Sequence, residues 1–123
     1  MSEIHKFTGN VNQYEWEGVQ SIPLEMEGIR DAAKRILIGN NEGAPNFIMR
    51  FFTLYPGGHS RLERHSQEHG VMVLQGKGKI QIGDELFDVN QFDAVFIEGN
   101  ELHQFSNPHD APFGFVCVIP KLD

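Results

Sequence analysis

The sequence predicts an all-β domain built as an antiparallel sandwich or barrel, and three observations support this. From Asn46 onward, seven short apolar segments follow one another, and Gly, Asn, Asp or Pro residues separate each segment from the next. The 123 residues of the chain fall in the size range of one domain. Ten phenylalanines in so short a chain suit a packed barrel whose interior is only partly filled.

Residues 1–45 are expected to form an N-terminal arm and edge strands of the same domain. Ile22, Leu24 and Met26 alternate around Pro23, and an alternation of period two predicts a short strand. Because proline cannot donate a hydrogen bond to a sheet ladder, we expect this strand at an edge or at a bulge.

The remaining strands follow from apolar runs and the turn residues between them. The segment 28–39 fits either a helical face or a strand, and its second half, 35–38, favours a strand. Residues 39–45, GNNEGAP, are typical of a turn. Further strands are predicted over 46–55, 69–75, 77–82, 85–89, 93–97, 102–106 and 113–119.

Two of these strands have distinctive patterns. The strand over 46–55 carries apolar residues at both odd and even positions, as does the strand over 113–119, so we expect both faces of each to be buried. A tight hairpin is expected at 82–85, where Gly83 is free to take a positive φ.

Charge and composition narrow the class of function. Ten basic and seventeen acidic side chains give a formal charge of −7. Nucleic acids and anionic membranes call for clustered Lys and Arg, so we expect neither as a partner and look for a small-molecule site. The single cysteine, Cys117, cannot form an internal disulfide, and no apolar run reaches the roughly 20 residues of a membrane span. The N-terminus MSEIHKFTG lacks the apolar run of a signal peptide, which predicts a cytoplasmic protein.

The candidate site residues are Glu63, His65, His69 and His103. Glu63 and His65 are two positions apart, so on an extended strand their side chains leave by the same face, about 7 Å apart. His69 can face them from the next antiparallel strand. Imidazoles with a carboxylate suit a divalent transition metal (Mn, Fe, Ni, Cu or Zn) better than Ca or Mg. On a six-coordinate metal, four protein ligands would leave two positions for water, O2 or substrate.

These residues resemble the two motifs of the cupin superfamily, G-x5-H-x-H-x3,4-E-x6-G and G-x5-P-x-G-x2-H-x3-N. The first corresponds to Gly57–Gly76 and the second to Phe92–Asn107, and the similarity covers about residues 46–120. The chain is most similar to the small single-domain bacterial cupins of the conserved barrel type. The resemblance implies a double-stranded β-helix, or jelly-roll barrel, with its core at 46–123 and a metal held by the motif residues.

The chain departs from the family pattern at both motifs. Glu63 stands where the family has its first histidine, and His69 stands where many members have the glutamate. In the second motif, Phe92, Glu98 and Asn100 replace Gly, Pro and Gly, and we expect this to shift the approach of His103 to the metal. If Glu63 does not bind, a three-histidine site is left, of the kind that thiol dioxygenases of the superfamily use.

The resemblance implies a metalloenzyme that acts on a small organic substrate, by dioxygenase, lyase or isomerase chemistry that the residues do not distinguish. The alternative is a non-catalytic barrel that binds a sugar or an organic acid. Similar cupins form homodimers through their N-terminal strands, which here could contribute Trp16, Val19, Ile22 and Leu24. His59 is interpreted as a rim residue, and Cys117 as a core residue because it lies within the apolar run FVCVI.

Overall fold

The computed structural model describes residues 2–122, and strands make up nearly all of the regular structure in them. Within residues 2–122, one 3-10 turn, Asn40–Glu42, interrupts the strands. The all-β prediction is therefore confirmed. The strands are β1 (Ile22–Leu24), β2 (Arg30–Ile38), β3 (Phe47–His59), β4 (His69–Gln75), β5 (Gly78–Ile82), β6 (Glu85–Val89), β7 (Ala94–Ile97), β8 (His103–Ser106) and β9 (Phe113–Pro120).

The apolar segments separated by turn residues all become strands. β4 and β6 have the bounds that the sequence predicts, 69–75 and 85–89. The prediction for 28–39 was too short, because β2 starts at Arg30 and pairs with β3 over most of its length. In the described residues β1 pairs with β2 and with no other strand, so Pro23 lies on an edge strand, as predicted.

One curled antiparallel sheet contains all nine strands, in the order β6-β5-β8-β3-β9-β4-β7, with β2 attached to β3 and β1 attached to β2. β3 spans 13 residues and organises the sheet. Its first part, 47–54, lies between β2 and β9, and its last residue, His59, pairs with Ser106 of β8. The chain therefore leaves β3 beside β8, which brings the residues after His59 close to His103.

Both faces of β3 are covered, as predicted, but by different parts of the molecule. Arg50, Phe52 and Leu54 line an interior cavity. Phe51, on the opposite face, is fully buried. The N-terminal arm covers it, because the ring of Tyr14 stacks on Phe51 at 5.4 Å between centroids and Trp16 lies at 5.1 Å.

The packing of the arm bears on the expected assembly. Trp16, one of the residues expected between two chains, contacts Phe7 and Phe51 of its own chain. Ile22 is exposed, whereas Leu24 lines the interior cavity. The homodimer stays a prediction, and so does the cellular compartment. Within residues 2–122, no helix is long and apolar enough to span a membrane.

The hairpin predicted at 82–85 forms, and two residues that replace motif glycines also take a left-handed backbone. Ile82 pairs with Glu85 across the two-residue loop of the β5–β6 hairpin, and Gly83 has φ 61°. Phe92 and Asn100 have φ 73° and 66°, in the left-handed region that favours glycine. They occupy the two positions where the second motif of the family has glycine. The turns around β7 thus keep a glycine-like backbone although the glycines are absent.

Candidate metal centre

Three histidines from different parts of the chain meet in the interior. His69 begins β4, His103 begins β8, and His65 lies on the segment that connects β3 to β4. Burial alternates along this connection, with Glu63 and His65 less exposed than their neighbours Leu62 and Arg64. Nitrogens of the three imidazoles all lie within 4.8 Å of one another, and Nε2 of His65 is 2.8 Å from Nε2 of His69. The three histidines therefore form a group that can hold a metal ion.

Glu63 pairs with His103 through the backbone, but within residues 2–122 the group of converging ligand atoms consists of the three histidines and does not include its carboxylate. The N–H of Glu63 donates to the carbonyl of His103 at 3.1 Å, and the N–H of His103 donates to the carbonyl of Glu63 at 2.9 Å. Residues paired in this way on antiparallel strands project their side chains to the same face. Glu63 accordingly lines the same cavity as the histidines. Within residues 2–122 its carboxylate forms no ion pair with Arg61 or Arg64.

Hydrogen bonds behind two of the rings fix how they face the centre. The carbonyl of Glu101 is 2.8 Å from Nδ1 of His103, and since a carbonyl only accepts, Nδ1 is the donor and Nε2 is the nitrogen left to face the centre. Nδ1 of His69 lies 2.9 Å from Sγ of Cys117. The same sulfur accepts a hydrogen bond from Nη2 of Arg50 at 3.3 Å.

The histidines and Glu63 line the wall of a cavity of about 250 Å³. A cavity of this size suits a small organic molecule. Apolar side chains form much of the wall, and three cationic side chains also line it. The apolar members include Leu24, Met26, Ile29, Leu54, Phe52, Phe105 and Phe115, and the cations are Lys34, Arg50 and Arg61.

Residues 50–119 of the chain match the family model described as the cupin domain. This match covers more than half of the chain and includes every residue of the cluster. The chain is a cupin. The family that the two motifs indicated is thereby confirmed, together with the jelly-roll fold.

This cupin is similar to proteins of two bacteria. The 1-methylthio-D-xylulose 5-phosphate methylsulfurylase of Rhodospirillum rubrum is 38% identical over 111 residues, which is 88% of this chain and 70% of that protein. A crystal structure of a cupin-2 domain from the same organism has a TM-score of 0.80 and 36% identity, and it covers 95% of this chain and 83% of the other. A cupin 2 conserved barrel domain protein from Rhodopseudomonas palustris has a TM-score of 0.86 and 29% identity, with coverage of 98% and 81%.

Burial keeps the central ring of the cupin cluster neutral. His69 is buried, and removal from water, with smaller contributions from His103, His65 and Arg50, lowers its pKa from 6.5 to about 3. Because the cost of burial falls on the charged form, the neutral imidazole is favoured at any pH well above 3. A neutral imidazole is the form that binds metals.

The donor set fits a metal ion. Nitrogens bound at about 2.1 Å to one ion lie about 3 to 4 Å from each other. The separations in this cupin, 2.8 Å for one pair and at most 4.8 Å for all, are close to that range. Nδ1 of His65 is buried and, within residues 2–122, without a hydrogen-bond partner. This ring is therefore less constrained than His69 and His103, and it can adjust to an ion.

Sequence reasoning missed the residues that support the cluster. Cys117 is buried, as predicted for a core residue, but its sulfur contacts the site through His69 and Arg50. The alternation along β9 could have placed Cys117 on the inner face with Phe115, since both lie two positions apart on one strand. Nδ1 of His59 lies 3.0 Å from the carbonyl oxygen of Ser60 and 3.4 Å from Nε2 of Gln104. Among the described residues, His59 is not part of the cavity wall.

Proposed function

We propose that this cupin is a metal-dependent enzyme that acts on a small organic molecule in the interior cavity. The observation that carries the proposal is the convergence of His65, His69 and His103 within 4.8 Å in the wall of that cavity. A divalent transition metal bound there would supply Lewis-acid or redox chemistry next to the substrate. The name of the Rhodospirillum rubrum relative, a methylsulfurylase, supports an enzyme over a barrel that only binds its ligand.

Glu63 is proposed as the fourth ligand. Two features support this role: its pairing with His103, which directs the carboxylate to the inner face, and the lack of an ion pair with Arg61 or Arg64 within residues 2–122. An unpaired carboxylate in a partly buried wall pays a desolvation cost, and a bound cation would offset it.

The other side chains position the ligands and shape the cavity. The carbonyl of Glu101 and the sulfur of Cys117 hold the rings of His103 and His69 from behind, which leaves the opposite nitrogens directed at the centre. Phe105 and Phe115, stacked at 4.3 Å between centroids, form an apolar wall that limits water at the site.

The test is metal content and metal-induced stabilisation of protein purified without a chelating tag. We expect one equivalent of metal per chain and a higher Tm on addition of Mn, Fe, Ni, Cu or Zn to chelator-treated protein. His65→Ala should abolish stoichiometric binding, because no neighbour replaces the lost nitrogen. Glu68→Ala, which removes an exposed acid beside the same cluster, is the control and should bind as the wild type does.

Glu63 variants decide between four ligands and three. Glu63→Ala should weaken metal affinity, and Glu63→His should restore it. Unchanged affinity in Glu63→Ala would show that the carboxylate is not a ligand and would leave the three histidines as the site. If the wild type neither contains metal nor gains stability from any of the five metals, the metalloenzyme proposal fails and the non-catalytic binding barrel replaces it.

A further inference from the structure

We infer that Lys34 and Arg50 bind the phosphate group of a small phosphorylated substrate, whose other end reaches the histidine cluster. The inference rests on the proposed function only in taking the histidine cluster as the place where the substrate reacts. It is carried by the position of these two cations in the cavity wall and by their lack of acidic partners.

Strand register brings the two cations together on the inner face. Lys34 of β2 pairs directly with Phe52 of β3, and Arg50 lies two residues before Phe52 on the same side of β3. Such diagonal neighbours are about 7–8 Å apart at the backbone. The guanidinium of Arg50 lies over the ring of Phe52, 4.8 Å from its centroid, and its Nη2 donates to Sγ of Cys117 on β9. Both residues line the cavity, and both are partly buried.

Neither cation has a carboxylate partner among residues 2–122, where the ion pairs join His5 to Glu42 and Lys79 to Asp88. The chain has 17 acidic residues against 10 basic ones, so acids were available for pairing. Glu63 is the one acid in the described wall of the cavity, against Lys34, Arg50 and Arg61. Like charges held close in a partly buried wall repel each other, and an anionic ligand removes that cost.

Arg61 contributes charge but is less free to bind. Its Nε and Nη2 atoms both donate to the carbonyl of Glu27, at 3.2 and 3.0 Å. This contact holds the segment that contains Met26 and Ile29, which line the same cavity. Arg61 therefore fixes this part of the wall, whereas Lys34 and Arg50 supply the donors for the anion.

The distance to the histidines suits a small molecule that spans the cavity. Nη2 of Arg50 lies 3.3 Å from Sγ of Cys117, and Nδ1 of His69 lies 2.9 Å from the same sulfur, so a short molecule held by Arg50 can reach the histidine cluster. A phosphate ester fits the two cations better than a carboxylate does, since a dianion balances two cations and offers more acceptors to a guanidinium and an ammonium.

The experiment measures binding of inorganic phosphate to chelator-treated protein by calorimetry, so that the metal plays no part. We expect saturable binding of one phosphate per chain. Lys34→Gln should weaken the affinity at least tenfold, and Lys34→Arg, which keeps the charge, should retain most of it. Lys79→Gln, the same substitution at a lysine paired with Asp88 on the exposed β5–β6 hairpin, should leave the affinity unchanged.

Three results would overturn the inference: no phosphate binding by the wild type, equal binding by Lys34→Gln, or acetate binding as tightly as phosphate. The proposed function is tested separately in the same proteins. His65→Ala should lose metal and keep phosphate, whereas Lys34→Gln should lose phosphate and keep metal. Phosphate binding by a protein that takes up no metal would refute the metalloenzyme and leave the anion site standing.

Discussion

Asn107 connects the strand that carries His103 to the rest of the barrel, and its removal should cost a large part of the stability. Its side chain is 1% exposed. The amide nitrogen donates to the carbonyls of Leu54 and Ala111, both at 2.8 Å, and the amide oxygen accepts from the N–H of His109 at 2.9 Å. Asn107 thereby closes the connection from β8 to β9 and ties it to β3.

The size of the effect follows from these contacts. Asn107→Ala leaves the buried carbonyl of Leu54 without its partner, at about 1–3 kcal/mol, and breaks two partly buried bonds worth about 0.5–1.5 kcal/mol each. Together the free energy of unfolding should fall by about 4 kcal/mol. With an unfolding entropy of about 2.1 cal/mol/K per residue, a chain of 123 residues should lose about 15 °C in Tm.

The assay is urea and thermal unfolding of the chelator-treated protein, followed by circular dichroism. Asn107→Asp keeps the acceptor for His109 but replaces the amide donor with a charge, and it should be at least as destabilising as alanine. Asn41→Ala, at an exposed position in the 3-10 turn, should change the free energy of unfolding by less than about 0.5 kcal/mol. A loss below about 1 kcal/mol in Asn107→Ala would refute the reasoning.

Two further predictions concern backbone strain and pH. Phe92 has φ 73° and is 68% exposed, so Phe92→Gly should raise the free energy of unfolding by about 0.5–1 kcal/mol in urea titrations; a loss would contradict this. In chelator-treated protein the pKa of His69 is about 3 when folded and near 6.5 when unfolded, so the unfolded chain binds more protons below pH 6.5. Stability should therefore fall from pH 6.5 toward pH 3, by about 2 kcal/mol at pH 5, and His69→Gln should remove that part of the loss.

The strands could be predicted from the sequence because local chemistry sets their limits. Glycine, proline, asparagine or aspartate residues lie between consecutive apolar runs, and β4 and β6 have the predicted bounds. The start of β2 was harder, since Ala32 and Ala33 are compatible with a helix until pairing with β1 and β3 decides. The choice of strand over helix is thus made by tertiary contacts, which the local sequence does not show.

The histidines that meet in the cavity could also be named in advance, because their spacing is a family motif. The residues that contact the histidines or line the cavity beside them could not be predicted. Periodicity tells which face of a strand a residue lies on, but not which strand lies next to it. Cys117 and Arg50 reach the site because β9 lies between β3 and β4 in the sheet. Lys34 reaches the cavity because β2 pairs with β3 in one particular register. Neither neighbour relation is visible in the order of the strands along the chain.

The exchange of glutamate and histidine in the first motif is explained by the burial of the two positions. Residue 69 is buried, and a neutral imidazole costs less to bury than a carboxylate. The low pKa of His69 keeps its ring neutral. Position 63 is less buried and faces the cavity two residues after Arg61. The exchange therefore places the carboxylate at the position where its desolvation costs less.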